Sequence, residues 1–86
     1  MTSDEIRAFV ANAIEDIAPD AELDGLDGTL SLRDELDLDS MDFLALVRAI
    51  HERLGVDVPE ADYPQIDSLD GCVTYLAARL SALAGG

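Results

Sequence analysis

The sequence predicts an all-α fold: a small up-down bundle of three main helices plus one short helix, with a long first loop. Three observations carry this. Three stretches place apolar residues at steps of three and four, the repeat of one helical face. No segment with strand-like alternation has a second one to pair with. Apolar residues make up 49% of the chain but aromatics only 5%, so the core is expected to be built from Leu, Ile, Val and Ala. With 86 residues, the chain is expected to form a single domain over 1–86. A domain of that size buries roughly 60% of its unfolded surface and has little room for a deep catalytic cleft.

The first helix is expected to begin near Thr2. Thr2 and Glu5 have the spacing of a capping box, and Asp4 and Glu5 suit the positive end of the helix dipole. Ile6, Phe9, Val10, Ala13, Ile14 and Ile17 form its stripe, and Pro19 ends it at Ala18. From Asp20 to Asp39 no helical stripe is visible. Gly25 and Gly28 interrupt a scatter of leucines (Leu23, Leu26, Leu30, Leu32, Leu36 and Leu38), which are expected to pin a long loop to the core. The alternation over Leu36-Asp37-Leu38-Asp39 is strand-like, but it lacks a partner strand and is read as loop.

The second main helix is expected to start at Asp39 or Ser40 and to run to Leu54. Asp39 is a good cap, Asp42 lies in the first turn, and Gly55 is a left-handed terminator. Its inner stripe is Phe43, Leu46, Val47, Ile50 and Leu54, with Met41, Leu44 and Arg48 on a flank beside it. Pro59 opens a short helical segment from its first position, and Pro64 keeps it short. The last helix is expected from Asp67 or Ser68, with Leu69, Cys72, Val73, Leu76, Ala77 and Leu80 facing inward. Gly85-Gly86 is expected to fray.

Charge narrows the function. There are 19 acidic residues against five arginines, for a net charge of −14. Such a field repels nucleic acid and anionic membranes and favours encounters with basic protein surfaces. One cysteine permits no internal disulfide, and one Cys with one His cannot make a structural zinc site. The polar, acidic start is unlike a secretory signal, and no apolar run reaches membrane-spanning length, so a cytoplasmic protein without membrane insertion is expected. Asp20-Ala21-Glu22-Leu23-Asp24-Gly25 echoes the start of a calcium-binding loop, but its twelfth position is Ser31, not a bidentate Glu, and no metal site is expected. A serine hydrolase is not expected either. There is no Gly-x-Ser-x-Gly elbow, and His51 lies about three helical turns from Ser40. His51 is read as a solvated helix residue, Cys72 as a small core residue, and Tyr63 and Tyr75 as packing residues with wet hydroxyls. No catalytic residue is expected.

The informative segment is Leu36-Asp37-Leu38-Asp39-Ser40-Met41-Asp42. It sets a serine at a loop-to-helix junction, where a phosphate ester would meet unpaired backbone N–H groups and the positive dipole end. Asp37, Asp39 and Asp42 would oppose a free phosphate but would dock the basic surface of a modifying enzyme. The segment continues as Leu38-Asp39-Ser40-Met41-Asp42-Phe43-Leu44, preceded by Ser31-Leu32-Arg33-Asp34-Glu35-Leu36. Gly55-Val56-Asp57-Val58-Pro59 and Ile66-Asp67-Ser68-Leu69 follow downstream. Together these resemble the acyl carrier proteins over nearly the whole chain, from Thr2 to about Leu80.

The resemblance implies a carrier without catalysis of its own. In that family a phosphopantetheinyl transferase moves the 4′-phosphopantetheine of coenzyme A onto the motif serine, here Ser40, and the arm then carries acyl groups as thioesters. Implied partners are that transferase and the enzymes that load and process the cargo, a ligase or acyltransferase and a ketosynthase. Asp37, Asp39, Met41, Asp42, Leu44 and Arg48 fall where partners dock, and the chain is expected to act as a monomer. Two other readings compete: an unmodified acidic helical adaptor, and a peptidyl or aryl carrier of a nonribosomal assembly line. The latter tend to have glycines just before the serine, where this chain has Asp37-Leu38-Asp39, so the acyl type is favoured. Typical fatty-acid carriers have a densely acidic second helix. Here Ala45 stands where Glu is common, and Arg48, His51 and Arg53 dilute the acids further. A dedicated polyketide, specialised-lipid or other secondary-metabolite pathway therefore fits at least as well as fatty-acid synthesis.

Overall fold

Four α-helices and one 3-10 helix follow one another in a computed structural model that describes residues 1–20, 23 and 25–84. The calcium-like run at 20–25 and the fraying expected at Gly85-Gly86 lie partly or wholly outside the described residues.

Helix α1 (Ser3–Ile17) opens on the expected capping box: Thr2 Oγ1 accepts from the Glu5 N–H at 3.2 Å, and Glu5 Oε1 accepts from the Thr2 N–H at 2.8 Å. The bond from the Thr2 N–H holds the Glu5 carboxyl below its usual range. Ile6, Val10, Ala13 and Ile14 are buried, and the chain leaves the helix at Ala18, just before Pro19.

The first loop departs from expectation because it contains a helix, α2 (Leu32–Leu36). Ser31 caps it and Asp37 ends it in the left-handed conformation, φ 56° and ψ 40°. Five residues are too few to show a periodic stripe, which is why the sequence reads as loop. Leu32 and Leu38 are buried and Leu23, Leu26 and Leu36 pack against the core, but Leu30 is exposed and pins nothing.

Helix α3 (Ser40–Leu54) starts and stops as expected. Asp39 and Asp42 form a capping box, Phe43, Leu46 and Ile50 are buried, and Gly55 takes φ 70° as it donates to the His51 carbonyl. The short segment is a 3-10 helix (Glu60–Ile66). Pro59 precedes it rather than opening it, and Pro64 lies inside it rather than ending it. Pro64 has no N–H to give, which suits a short 3-10 segment better than a continuing α-helix. Helix α4 (Leu69–Ala84) buries Cys72, Val73 and Leu76.

The core is aliphatic, as the composition requires, with Phe43 the single buried aromatic among the described residues. The 3-10 helix is held from two sides. The Tyr63 ring meets Phe43 edge-on at 5.4 Å, and the Tyr75 hydroxyl donates to Asp62 Oδ2 at 2.7 Å. Arg79 donates to that same hydroxyl and lies 5.2 Å from the Tyr75 ring centre. The Tyr75 hydroxyl is therefore tied into a pair of charges and not simply wet. Burial, with Asp62 second, pushes its pKa up. Among the described residues no helix is long and apolar enough to cross a membrane.

Candidate functional site

Ser40 is the first residue of α3 and is exposed. Its placement follows from the two residues before it. Asp37 turns the chain out of α2 in the left-handed region, with its N–H and that of Leu38 both given to the Arg33 carbonyl. Leu38 is then driven into the core, 8% exposed. Asp39 is left as the cap of α3: its Oδ1 accepts from the Asp42 N–H at 2.8 Å, and Asp42 Oδ2 faces the Asp39 N–H at 3.5 Å. Because Asp39 performs the capping, the Ser40 hydroxyl is not needed for it. Among the described residues that hydroxyl has no hydrogen-bond partner.

The α2–α3 connection is itself anchored. Asp67, just before α4, accepts from the Ser31 hydroxyl at 2.7 Å and from Arg33 Nε at 3.3 Å, and its carbonyl accepts from the Leu32 N–H. Ser31 and Ser68 form an isolated antiparallel bridge. The Arg33 guanidinium also stacks 4.9 Å from the centre of the Phe43 ring, one turn into α3. One arginine thus ties the approach to Ser40, the body of α3 and the start of α4 together. Sequence reasoning missed this clasp. Its members lie 34 and 36 positions apart, and no local pattern announces such a pairing.

Of the sequence-predicted residues, Asp37, Asp39, Met41, Leu44 and Arg48 are exposed, and Asp42 is half-buried. Met41 and Leu44 are 74% and 42% exposed. Met41, Leu44 and Arg48 lie along α3, Asp39 caps it, Asp42 sits in its first turn, and Asp37 ends α2 just before it. Their arrangement suits a phosphopantetheine group. The hydroxyl is free and exposed, the first N–H groups of the helix lie beside it, and the nearest carboxylates, Asp39 and Asp42, are turned to backbone N–H groups. A surface depression of about 750 Å³ between the 3-10 helix and α4, lined in part by Asp62, Gln65, Thr74 and Arg79, shares no residue with this cluster.

A protein family described as the phosphopantetheine attachment site matches residues 5–76. The chain is also similar to the acyl carrier protein of Streptomyces coelicolor, 35% identical over 83 residues that cover 96% of this chain and 86% of that one. It is 30% identical to the acyl carrier protein of Campylobacter hominis, over 85% of this chain and 86% of that one. It is 27% identical to the mitochondrial acyl carrier protein of Neurospora crassa, over 95% of this chain but only 61% of that one. Fold and matches define a carrier that bears a phosphopantetheine arm. The chain belongs to the acyl carrier protein family. It is accordingly a carrier and not an enzyme, and its partners are a phosphopantetheinyl transferase and acyl-processing enzymes.

Proposed function

We propose that Ser40 is the attachment point of the arm and that the outer side of α3 is where partner enzymes dock. The observation that carries this reading is the state of the hydroxyl. Ser40 is exposed and unbonded on a rigid helix start, whereas Ser31 and Ser68 are half-buried and hydrogen-bonded. The arm, once attached, supplies a thiol that holds acyl groups as thioesters. The chain's own residues do the rest: Asp39 and Asp42 fix the helix start, Leu38 and the Arg33 clasp hold it in place, and Asp37, Asp39 and Asp42 attract a basic partner surface. A tethered arm raises the local concentration of its cargo at each partner.

The chain works as a single domain over 1–86, as a monomer, in the cytoplasm. Its Cα radius of gyration of 12.0 Å supports the one-domain reading, since a compact chain of this length is expected near 12 Å. A ligase or acyltransferase loads it and a ketosynthase draws on it. The exposed Arg48 on the docking flank favours a dedicated pathway, a polyketide, specialised lipid or other secondary metabolite, over general fatty-acid supply. The test is to incubate the chain with coenzyme A and a broadly acting transferase, then map the adduct. Uptake at Ser40 and its loss in Ser40→Ala are expected. An unchanged mass, or an adduct on Ser3, Ser31, Ser68 or Ser81, overturns the reading.

A further inference from the structure

The outward side of α3 carries its chemistry in a fixed order. Asp37, Asp39 and Asp42 all lie within three positions of Ser40 at one end. Met41 and Leu44 follow, two of the four large apolar side chains that the described surface exposes. Arg48 comes next, on the same flank because residues three and four apart share a face. It lies eight positions after Ser40, which is about 12 Å along the axis at the α-helical rise of about 1.5 Å per residue.

Arg48 differs from most of its kind in this chain. Of the five arginines, three are paired with aspartates: Arg7 with Asp70 at 2.8 Å, Arg33 with Asp67 at 3.3 Å and Arg79 with Asp62 at 3.6 Å. Arg48 makes no ion pair among the described residues, although Glu52 stands four residues on and the chain carries a net charge of −14. In so acidic a molecule a cation is easily neutralised. This one stays open, next to two exposed apolar groups and on the side that starts at Ser40. Arginine and methionine are both enriched at protein interfaces relative to the rest of the surface.

We propose that α3 docks its acyl-processing partner in one register, against a surface whose polarity alternates. Basic groups around the partner's active-site mouth meet the carboxylates at Ser40, a shallow apolar patch takes Met41 and Leu44, and a carboxylate about 12 Å from the mouth meets Arg48. This deepens and rests on the reading of Ser40 as the attachment point. The order along the helix makes the contact directional. Docked end for end, the helix would set carboxylate against carboxylate and guanidinium against basic groups, so the register is selected by repulsion as well as attraction.

The test uses the arm-loaded, acylated chain and a ketosynthase whose docking surface is uniformly basic. Each basic side chain about 12 Å from its mouth is changed to glutamate, one enzyme variant at a time. Each variant's turnover of a free acyl-pantetheine thioester reports whether it is folded and active. The wild-type chain should gain about threefold in kcat/KM on at least one glutamate variant, the size of a rim ion pair. Arg48→Glu should lose on that variant and gain on the parent enzyme, with Arg48→Gln between them, and both differences should shrink at high salt. If wild type and Arg48→Glu rank every enzyme alike, the register is wrong. Intact mass separates the two levels of the argument. A chain that never takes the arm at Ser40 overturns the attachment reading and this inference with it. A chain that loads normally but shows no ranking difference overturns the register alone.

Discussion

Two tetrapeptides in this chain, Asp39-Ser40-Met41-Asp42 and Asp67-Ser68-Leu69-Asp70, have nearly the same sequence, and each opens an α-helix. They end in opposite states because the helical frame is shifted by one residue. At α3 the aspartate caps and the serine is the first helical residue, facing outward. At α4 the serine caps, its Oγ accepting from the Gly71 N–H at 3.0 Å, and the helix begins one residue later. Asp67 is thereby freed to hold Ser31 and Arg33, and Asp70 pairs with Arg7 instead of closing a capping box. A one-residue shift rotates the helix by about 100°, so matching positions exchange faces. Leu44 is 42% exposed, while its counterpart Cys72 is fully buried. Gly71 permits this frame, since a Cβ there would press on the Gln65 carbonyl and on Ser68 Oγ. An Asp-Ser-apolar-Asp run therefore leaves its serine hydroxyl out of the helix cap only where the aspartate has taken over the capping.

The largest expected contrast is in arm uptake. Ser68→Ala should load at the wild-type rate, and Ser40→Ala should not load at all, by intact mass after reaction with coenzyme A and a transferase. Loading of Ser40→Ala would mean that the frame does not decide which serine is used.

Stability should show the reverse contrast. Asp67→Ala removes the acceptor of the part-buried Ser31 hydroxyl and of Arg33, and should cost about 2 kcal/mol. Asp39→Ala loses a cap only, about 1 kcal/mol. Ser68→Ala should likewise cost about 1 kcal/mol, and Ser40→Ala less than about 0.5 kcal/mol. Urea unfolding of the four variants tests this. Equal losses at Asp39 and Asp67 would show that the clasp contributes no more than a cap.

The exchange of faces has a pH signature. Burial pushes the Cys72 thiol up from 9.0 to about 12. In the unfolded chain the thiol ionises above pH 9.0, while in the folded chain it stays protonated until about pH 12. Over that window the folded state holds the extra proton, so stability falls as pH rises. The loss from this group should reach about 1.4 kcal/mol one unit above the unfolded pKa. Cys72→Ala should flatten the alkaline limb between pH 8 and 10, whatever it costs at neutral pH. Parallel limbs for the two proteins would refute the assignment. Tyr75, whose pKa is also raised, bends the curve the same way in both and drops out of the comparison.

Much of this fold was legible in the sequence, and the failures share a cause. α1, α3 and α4 are 15 or 16 residues long, enough to repeat an apolar stripe four times, and their stripes and most of their ends read correctly. α2 has five residues and no room for a period. Ser40 stands out in the sequence through its surroundings over the whole chain, not through its tripeptide, since Asp67-Ser68-Leu69 is nearly the same. What separates the two serines is the pairing of Asp67 with Ser31 and Arg33, a long-range choice that one-dimensional spacing does not encode. The Tyr75 hydroxyl reads as wet for the same reason, because its partner Asp62 lies in a different helix.

The smallest expected effect separates two roles at one residue. Asp37 holds φ 56°, the only positive φ among the described residues other than glycine. Such a conformation costs a side-chain-bearing residue about 1 kcal/mol, somewhat less for Asp. Asp37→Gly removes that cost but gives the unfolded chain more freedom, so a net gain of about 0.5 kcal/mol is expected. It also removes one carboxylate beside Ser40, which should slow loading by a transferase with a basic docking surface. Asp37→Ala removes the same charge and keeps the strain in a residue type that enters this region less readily than Asp, so it should be less stable than wild type. The two variants should therefore move apart in urea unfolding and together in loading rate. If both load at the wild-type rate, Asp37 shapes the turn and takes no part in docking. If Asp37→Gly is the less stable of the two, the left-handed turn carries no strain for glycine to relieve.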